Sequence, residues 1–275
     1  MTIAEALAAG TQRLAPHSES PRLDAELLLA SLLDVSRGAL FARHDDVLSE
    51  DRALRFDAQL QRRADHEPIA YLLGTQGFWT LDLQVNPDVL VPRPETELLV
   101  EWALEVLPGE DKASVADLGT GSGAIALAIA SERPQAQVLA TDFSAAALRV
   151  AERNAQLNAV GNVRFAAGSW YAALEGQFDL IVSNPPYIAA GDAHLPALKH
   201  EPISALTDNA DGLSCLREII KGAHEHLRPD AWLLVEHGYD QGTAVRALFE
   251  QAGFANVSTR RDLGKQERAT GGRRA

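Results

Sequence analysis

A single cysteine, Cys215, stands among 275 residues, so no disulfide can close within the chain and a reducing, cytoplasmic setting is expected. Cys215 falls in a helical pattern, where packing rather than nucleophilic chemistry is expected of it. No apolar run approaches the ~20 residues that cross a bilayer, so no membrane association is expected. The opening MTIAEALAAGTQRLA carries Glu5 early and lacks a basic start with a long apolar block, which suits an amphipathic helix better than an export signal. Basic residues are scarce too: 25 Lys and Arg face 38 Asp and Glu, for a formal net charge of −13. Proteins that grip duplex nucleic acid gain affinity by neutralising phosphates. No long Lys/Arg run precedes the tail RRDLGKQERATGGRR, so a protein or small-molecule substrate is expected and direct nucleic-acid binding is not. His194, His200, His224 and His226 make no metal-ligand spacing and no G-x-S-x-G motif occurs, so neither a metal nor a serine nucleophile is expected.

What is present is the composition of a folded globular chain, 46% hydrophobic and long enough for a core domain plus a smaller one. Residues 1–75 carry apolar spacings of helical period, as in LDAELLLASLLDV and DRALRFDAQLQRRA, with Ser20-Pro21 and Ser49-Glu50-Asp51 as start signals. A small all-α domain is expected there. Residues 76–91 switch to alternation through Phe78, Leu81, Leu83 and Val85, with Asn86-Pro87-Asp88 as a turn signal, and predict a β-hairpin linker. Over 92–275 strands and helices alternate: strands at 114–119, 135–142, 162–168, 177–184 and 231–238, helices at 122–133, 144–158, 213–227 and 240–253, and two short strands in the tail. This is the pattern of an α/β domain with an open, mostly parallel sheet covered on both faces. A monomer is expected.

Three features sit at the carboxyl ends of these strands. Gly119-Thr120-Gly121-Ser122-Gly123 follows the first, where glycines let the turn run tightly and a ligand approach the backbone. It is G-x-G-x-G rather than the dinucleotide pattern G-x-G-x-x-G, and turns alone explain many such loops. Asp142 ends the second strand about 20 residues on, where a carboxylate can accept from both ribose hydroxyls; capping of the helix at Ser144 is the plainer alternative. Trp170 ends the third strand and either stacks on a base or packs as core. Beyond the fourth strand comes Asn184-Pro185-Pro186-Tyr187. Two prolines cannot continue a central strand, because each lacks a ladder N–H and fixes φ.

Pro92-Arg93-Pro94-Glu95-Thr96-Glu97, Asp117-Leu118-Gly119 to Gly123, Asp142 and Asn184 to Tyr187 together resemble the S-adenosylmethionine-dependent methyltransferases, specifically the peptide chain release factor glutamine methyltransferases. The resemblance runs over almost the whole chain. Asn-Pro-Pro-Tyr alone is shared with DNA adenine and RNA guanine methyltransferases; Pro92 to Glu97 and Glu201-Pro202-Ile203-Ser204-Ala205-Leu206 are more selective. Lys199 stands where the family usually has Arg, which puts a fork-shaped contact in doubt but not the positive charge. The resemblance implies a Rossmann-like seven-stranded sheet ending in an antiparallel hairpin. It also implies S-adenosyl-L-methionine held by Gly119, Thr120, Gly121, Ser122, Gly123, Asp142, Trp170 and Asn184, and a substrate slot from Asn184, Pro185, Pro186 and Tyr187. The partner it implies is a peptide chain release factor, methylated at N5 of the glutamine in its Gly-Gly-Gln loop.

That slot suits a planar NH₂ group. An amide nitrogen is a poor nucleophile because its lone pair is delocalised, and a site that uses it supplies position and polarisation. The Asn184 side-chain oxygen and the Pro185 carbonyl can each accept one N–H, the prolines hold both acceptors stiffly, and Tyr187 offers a flat face. Asn184, Pro185 and Tyr187 are therefore the expected catalytic residues. An exocyclic base amine fits the same description, so a nucleic-acid methyltransferase is the alternative, and a binding module without turnover is a third. Arg93 is expected near the reaction centre, Glu95 to Glu97 are explained by the helix dipole alone, and His237 is expected to be structural.

Overall fold

The computed structural model describes residues 1–107 and 112–275, in two compact units, Met1–Thr75 and Gln76–Ala275. The first unit is helical: α1 (Ile3–Leu14), α2 (Pro21–Leu33), α3 (Arg37–Ala42), α4 (Glu50–Ala64) and α5 (Ile69–Leu73). Its ends are written in the sequence. Thr2 and Glu5 close a capping box on α1, Pro21 opens α2 at a position whose N–H would be unpaired anyway, and Ser49 Oγ accepts from Arg52 N at the start of α4. The apolar faces meet in one core that includes Ile3, Leu7, Leu28, Leu29, Phe56 and Leu60. Two carboxylates are buried beside that core, and both are paired: Asp24 accepts from Arg63 and Ser18, and Glu26 from Arg22 and Arg37.

The second unit opens with the hairpin β1 (Thr75–Phe78) and β2 (Leu81–Gln84), followed by α6 (Glu97–Val106), β3 (Ser114–Leu118), α7 (Ala124–Glu132), β4 (Gln137–Asp142) and α8 (Ala145–Leu157). It continues through β5 (Val163–Ala167), β6 (Phe178–Ser183), α9 (Ser214–His226), β7 (Leu227–Glu236), α10 (Gly242–Gln251), β8 (Phe254–Arg261) and β9 (Glu267–Arg274). The turn of the hairpin differs from the one the sequence signals. It is made by Trp79 and Thr80, while Asn86 to Asp88 turn the chain after β2 has ended. Trp79 takes φ 56°, a conformation costly for a side chain of that bulk, and long-range bonds hold it: its backbone N–H donates to Glu97 and its indole N–H to Glu132, each at 2.7 Å. No local residue pattern announces such a turn.

The seven strands are ordered β5-β4-β3-β6-β7-β9-β8, with β3 to β7 parallel and β9 antiparallel to both neighbours. This is the seven-stranded Rossmann-like sheet, with its terminal antiparallel pair, that the sequence leads one to expect. Both faces are covered, which is why β3 is buried from Val115 to Leu118: Val115 enters the layer with Leu99, Trp102 and Ile125, while Ala116 and Leu118 enter the layer with Leu216, Ile219, Val245 and Phe249. The chain order reverses at β3, which has β4 on one side and β6 on the other. The crevice beyond the carboxyl ends of strands at such a reversal is where open α/β sheets bind ligands.

Candidate active site

A cavity of about 490 Å³ occupies that crevice, within the roughly 300–1,000 Å³ typical of small-molecule sites. On the β3 side its wall is the glycine loop. Gly119 and Thr120 donate their N–H groups to Thr141 O, both at 2.9 Å, which folds the loop back over the end of β4. Gly119 and Gly121 take φ 76° and 56°, and a Cβ at Gly119 would stand 3.5 Å from the Trp170 ring. Gly123 is not part of the wall; it takes φ 86° at the start of α7, against Leu127 and Ala151. Asn154 secures the loop from behind. Fully buried on α8, it donates to Ser122 O at 2.9 Å and to Gln84 O at 3.0 Å, and accepts from Gln84 N at 2.7 Å.

Asp142 lies in the wall and is almost wholly buried. Its oxygens accept from Gly121 N at 2.9 Å and Ser144 N at 2.8 Å, so each keeps a lone pair for a hydroxyl in the cavity. Capping of α8 proper falls to Ser144, whose Oγ accepts from Ala147 N. Burial raises the Asp142 pKa against the pull of those two backbone donors. Asp117, beneath the loop, is pushed up to about 7 by burial, opposed by hydrogen bonding from Thr120 and reinforced by the charge of Asp142. Trp170, at φ 44°, and the exposed Phe143 both present aromatic surface to the cavity. A paired-acceptor carboxylate, a tight glycine loop and flat aromatic walls fit a nucleoside with a polar tail.

On the β6 side the four residues that follow the strand separate. Asn184 and Pro186 line the cavity, the buried Pro185 between them is not among the lining residues, and Tyr187 is turned toward β7, where its hydroxyl donates to Glu236 Oε1 at 3.2 Å. Asn184 Nδ2 donates to Thr96 Oγ1 at 3.3 Å. Burial pushes Glu236 up to about 7, opposed by the hydroxyls of Thr96 and Tyr187, and burial likewise raises the Tyr187 phenol. Gln241 fixes the segment from below: its Nε2 donates to Tyr187 O at 2.9 Å and Gly212 O at 3.2 Å, and its Oε1 accepts from Gly238 N at 2.8 Å. Gly212 takes φ 79°, and a Cβ there would meet Tyr187 O at 2.5 Å.

The two selective sequence stretches meet each other. Arg93 lines the cavity and pairs with the buried Glu201, whose other oxygen accepts from Val91 N at 3.1 Å. Glu97 does more than complement the α6 dipole, since it holds the hairpin turn at Trp79. His237 is buried between Gly238 O and Thr270 Oγ1, both at 2.8 Å, and is absent from the cavity wall. Cys215 does reach the wall, but burial lifts its thiol to about 11, which keeps it protonated and unreactive near neutrality. Among the described residues no cluster of His, Cys, Asp and Glu is arranged to hold a metal, and no helix is long and apolar enough to cross a membrane. Asn154 and Gln241 escape a reading of the sequence, as do the hydrogen-bond partners of Thr96 and Glu236; only the pair Asn154/Asn158 carries a signal, two amides one helical turn apart.

The chain matches two family models, the PrmC N-terminal domain over residues 5–74 and the methyltransferase small domain over residues 95–205. It is 53% identical over 270 residues to the release factor glutamine methyltransferase of Xylella fastidiosa strain Temecula1, covering 97% of this chain and 96% of that one. To the enzyme of the same description from Coxiella burnetii it is 49% identical, covering 96% and 95%. The solved hMettl16 catalytic domain in complex with MAT2A 3'UTR hairpin 6 aligns with TM-score 0.59 at 16% identity over 82% of each chain, a likeness of fold alone.

Proposed function

The chain belongs to the release factor glutamine methyltransferase family and is a methyltransferase; from that premise we propose that it methylates N5 of the glutamine in the Gly-Gly-Gln loop of peptide chain release factors, using S-adenosyl-L-methionine. The observation that carries this reading is Asn184 in the cavity wall with its amide nitrogen engaged by Thr96, which leaves the side-chain oxygen to accept from a substrate NH₂. Asp142 would hold the ribose, Gly119 to Ser122 would pass the methionine part, and Trp170 would flank the adenine. Bound there, the cofactor supplies an electrophilic methyl group on a sulfonium sulfur. The chain's own task is to hold the acceptor nitrogen still. Asn184 Oδ1 and the Pro185 carbonyl would take one N–H each, which would aim the developing lone pair and polarise the group without an acid–base pair, the nitrogen losing its surplus proton to solvent once it has taken the methyl group. Pro186 lines the slot, and Tyr187 supports it through Glu236 and Gln241. The helical unit would grip a second face of the release factor, in the cytoplasm.

An exocyclic base amine is also planar, and the test must separate the two acceptors. Cofactor labelled in its methyl group is incubated separately with unmethylated release factor, DNA and RNA, and the label is mapped. Label on the loop glutamine supports the proposal; label solely on nucleic acid overturns it.

A further inference from the structure

A carboxamide has two ends of nearly equal shape, and only one orientation of Asn184 serves an NH₂ substrate. Its oxygen must face the cavity; its nitrogen there would set donor against donor. The neighbour that decides is Thr96, whose hydroxyl lies 3.3 Å from Asn184 Nδ2. A hydroxyl has one proton to give and lone pairs to offer. Were Thr96 to give that proton to Asn184, the amide would turn its oxygen inward and its NH₂ toward the substrate. The orientation of Asn184 therefore depends on where the Thr96 proton goes.

An acceptor stands ready for it. Glu236 ends β7 and is 2% exposed, and Thr96 is 4% exposed. Glu236 Oε1 receives the Tyr187 hydroxyl, which stops the carboxyl group from turning away, while Oε2 has no closed hydrogen bond. A buried oxygen left unpaired is costly, and in its ionised form, which it takes as pH rises through about 7, the Glu236 carboxylate can only accept. Thr96 stands near enough to favour the ionised form of Glu236, although the bond is not closed at ordinary length here.

We propose that Glu236 is a positioning residue for methyl transfer: it claims the Thr96 hydroxyl proton on its unmet oxygen, leaves Thr96 only a lone pair for Asn184 Nδ2, and thereby turns Asn184 Oδ1 toward the acceptor nitrogen. The proposal rests on the amide-methylation reading for its consequence, though not for its geometry. It joins the start of α6, the segment after β6 and the end of β7 into one donor–acceptor relay. Tyr187 and Thr96 become the two donors that a single buried carboxylate requires.

Three variants and two readouts test it. Thr96→Val removes both the lone pair and the proton at nearly constant shape, Thr96→Ser keeps them, and Glu236→Gln replaces an acceptor oxygen by a donor. With unmethylated release factor as substrate, Thr96→Val and Glu236→Gln are expected to lower kcat by at least about tenfold, with KM and the cofactor Kd nearly unchanged. Thr96→Ser should stay within about threefold of the parent, and the double variant Thr96→Val/Glu236→Gln should be no worse than Thr96→Val alone. Full activity in Thr96→Val, losses that multiply in the double variant, or equal loss of cofactor affinity would each overturn the relay. If Glu236→Gln does not fold, the Thr96 pair decides. The second readout needs no turnover: nuclear Overhauser effects from the Asn184 carboxamide protons to the Thr96 methyl group should be present in the parent and lost in Glu236→Gln. Their absence in the parent, or persistence in a folded Glu236→Gln, defeats the proposal. Their presence in a parent that labels no glutamine would instead count against the functional reading alone.

Discussion

Asn184 and Asp142 face one cavity from opposite sides of β3, and the account gives them separable tasks. On the proposed reading, replacing Asn184 by Ala removes an acceptor for the nitrogen that receives the methyl group, so kcat should fall by about 100-fold or more while cofactor affinity changes little. Equal loss of both in a folded variant would move Asn184 to cofactor support. Replacing Asp142 by Ala removes a carboxylate that also steadies Gly121 and Ser144, so calorimetry should show cofactor binding weakened by about 10–100-fold; unchanged affinity would defeat the assignment. Both residues were legible in the sequence because each follows a strand at a position where side chains project into the ligand crevice. The joint role of Thr96 and Glu236 was not, although Thr96 stands in the selective stretch Pro92 to Glu97 and Glu236 ends a strand on the same edge of the sheet. Their significance lies in a meeting across about 140 positions of chain, which no local pattern encodes.

At the scale of elements, the β-α alternation after residue 114 is plain because parallel strands buried on both faces read as short apolar blocks between amphipathic helices. Even there β7 begins at Leu227, before the apolar run at Ala231, because Arg228 to Asp230 are carried into the strand through an irregular stretch paired with β6. The hairpin was legible in its apolar spacing but not in its turn, since Trp79 is held by Glu97 and Glu132 rather than by its own conformational preference. β2 belongs with the sheet domain through Asn154 of α8 and Asn158 just past its end, which bond the backbone of Gln84 and Asp82 as a neighbouring strand would. Asn154→Ala breaks two such bonds at a fully buried site, together with a third to Ser122 of the glycine loop. Urea unfolding should show a loss of about 2–4 kcal/mol at unchanged m, with weakened cofactor binding. A loss under about 0.5 kcal/mol would mean that the hairpin and loop are held by other contacts.

Across the whole molecule, the buried acids of the site set a pH dependence of stability. Asp117 and Glu236 are both raised to about 7, from ordinary values of 3.8 and 4.5. The folded chain therefore holds protons that the unfolded chain has given up, and the stability they contribute is fully present below about pH 4 and lost as pH rises through about 7. The lowered carboxylates, such as Glu26 and Asp208, act in the opposite sense but below that window, and the buried His237, held neutral, opposes it in the acidic half. Asp117→Asn isolates one contribution: its stability should fall less steeply than the parent's between about pH 4 and 7, and identical slopes would remove Asp117 from the account. The sheet that buries these acids also sets the reaction geometry, because the loops after β3, β4, β5 and β6 converge on one crevice. The claim on which all of this depends is the grip on a carboxamide nitrogen, and a crystal structure of the enzyme with demethylated cofactor and free glutamine tests it most directly. The account requires Asn184 Oδ1 and the Pro185 carbonyl oxygen each within hydrogen-bonding distance of the glutamine amide nitrogen; a glutamine bound with that nitrogen facing other partners would contradict it.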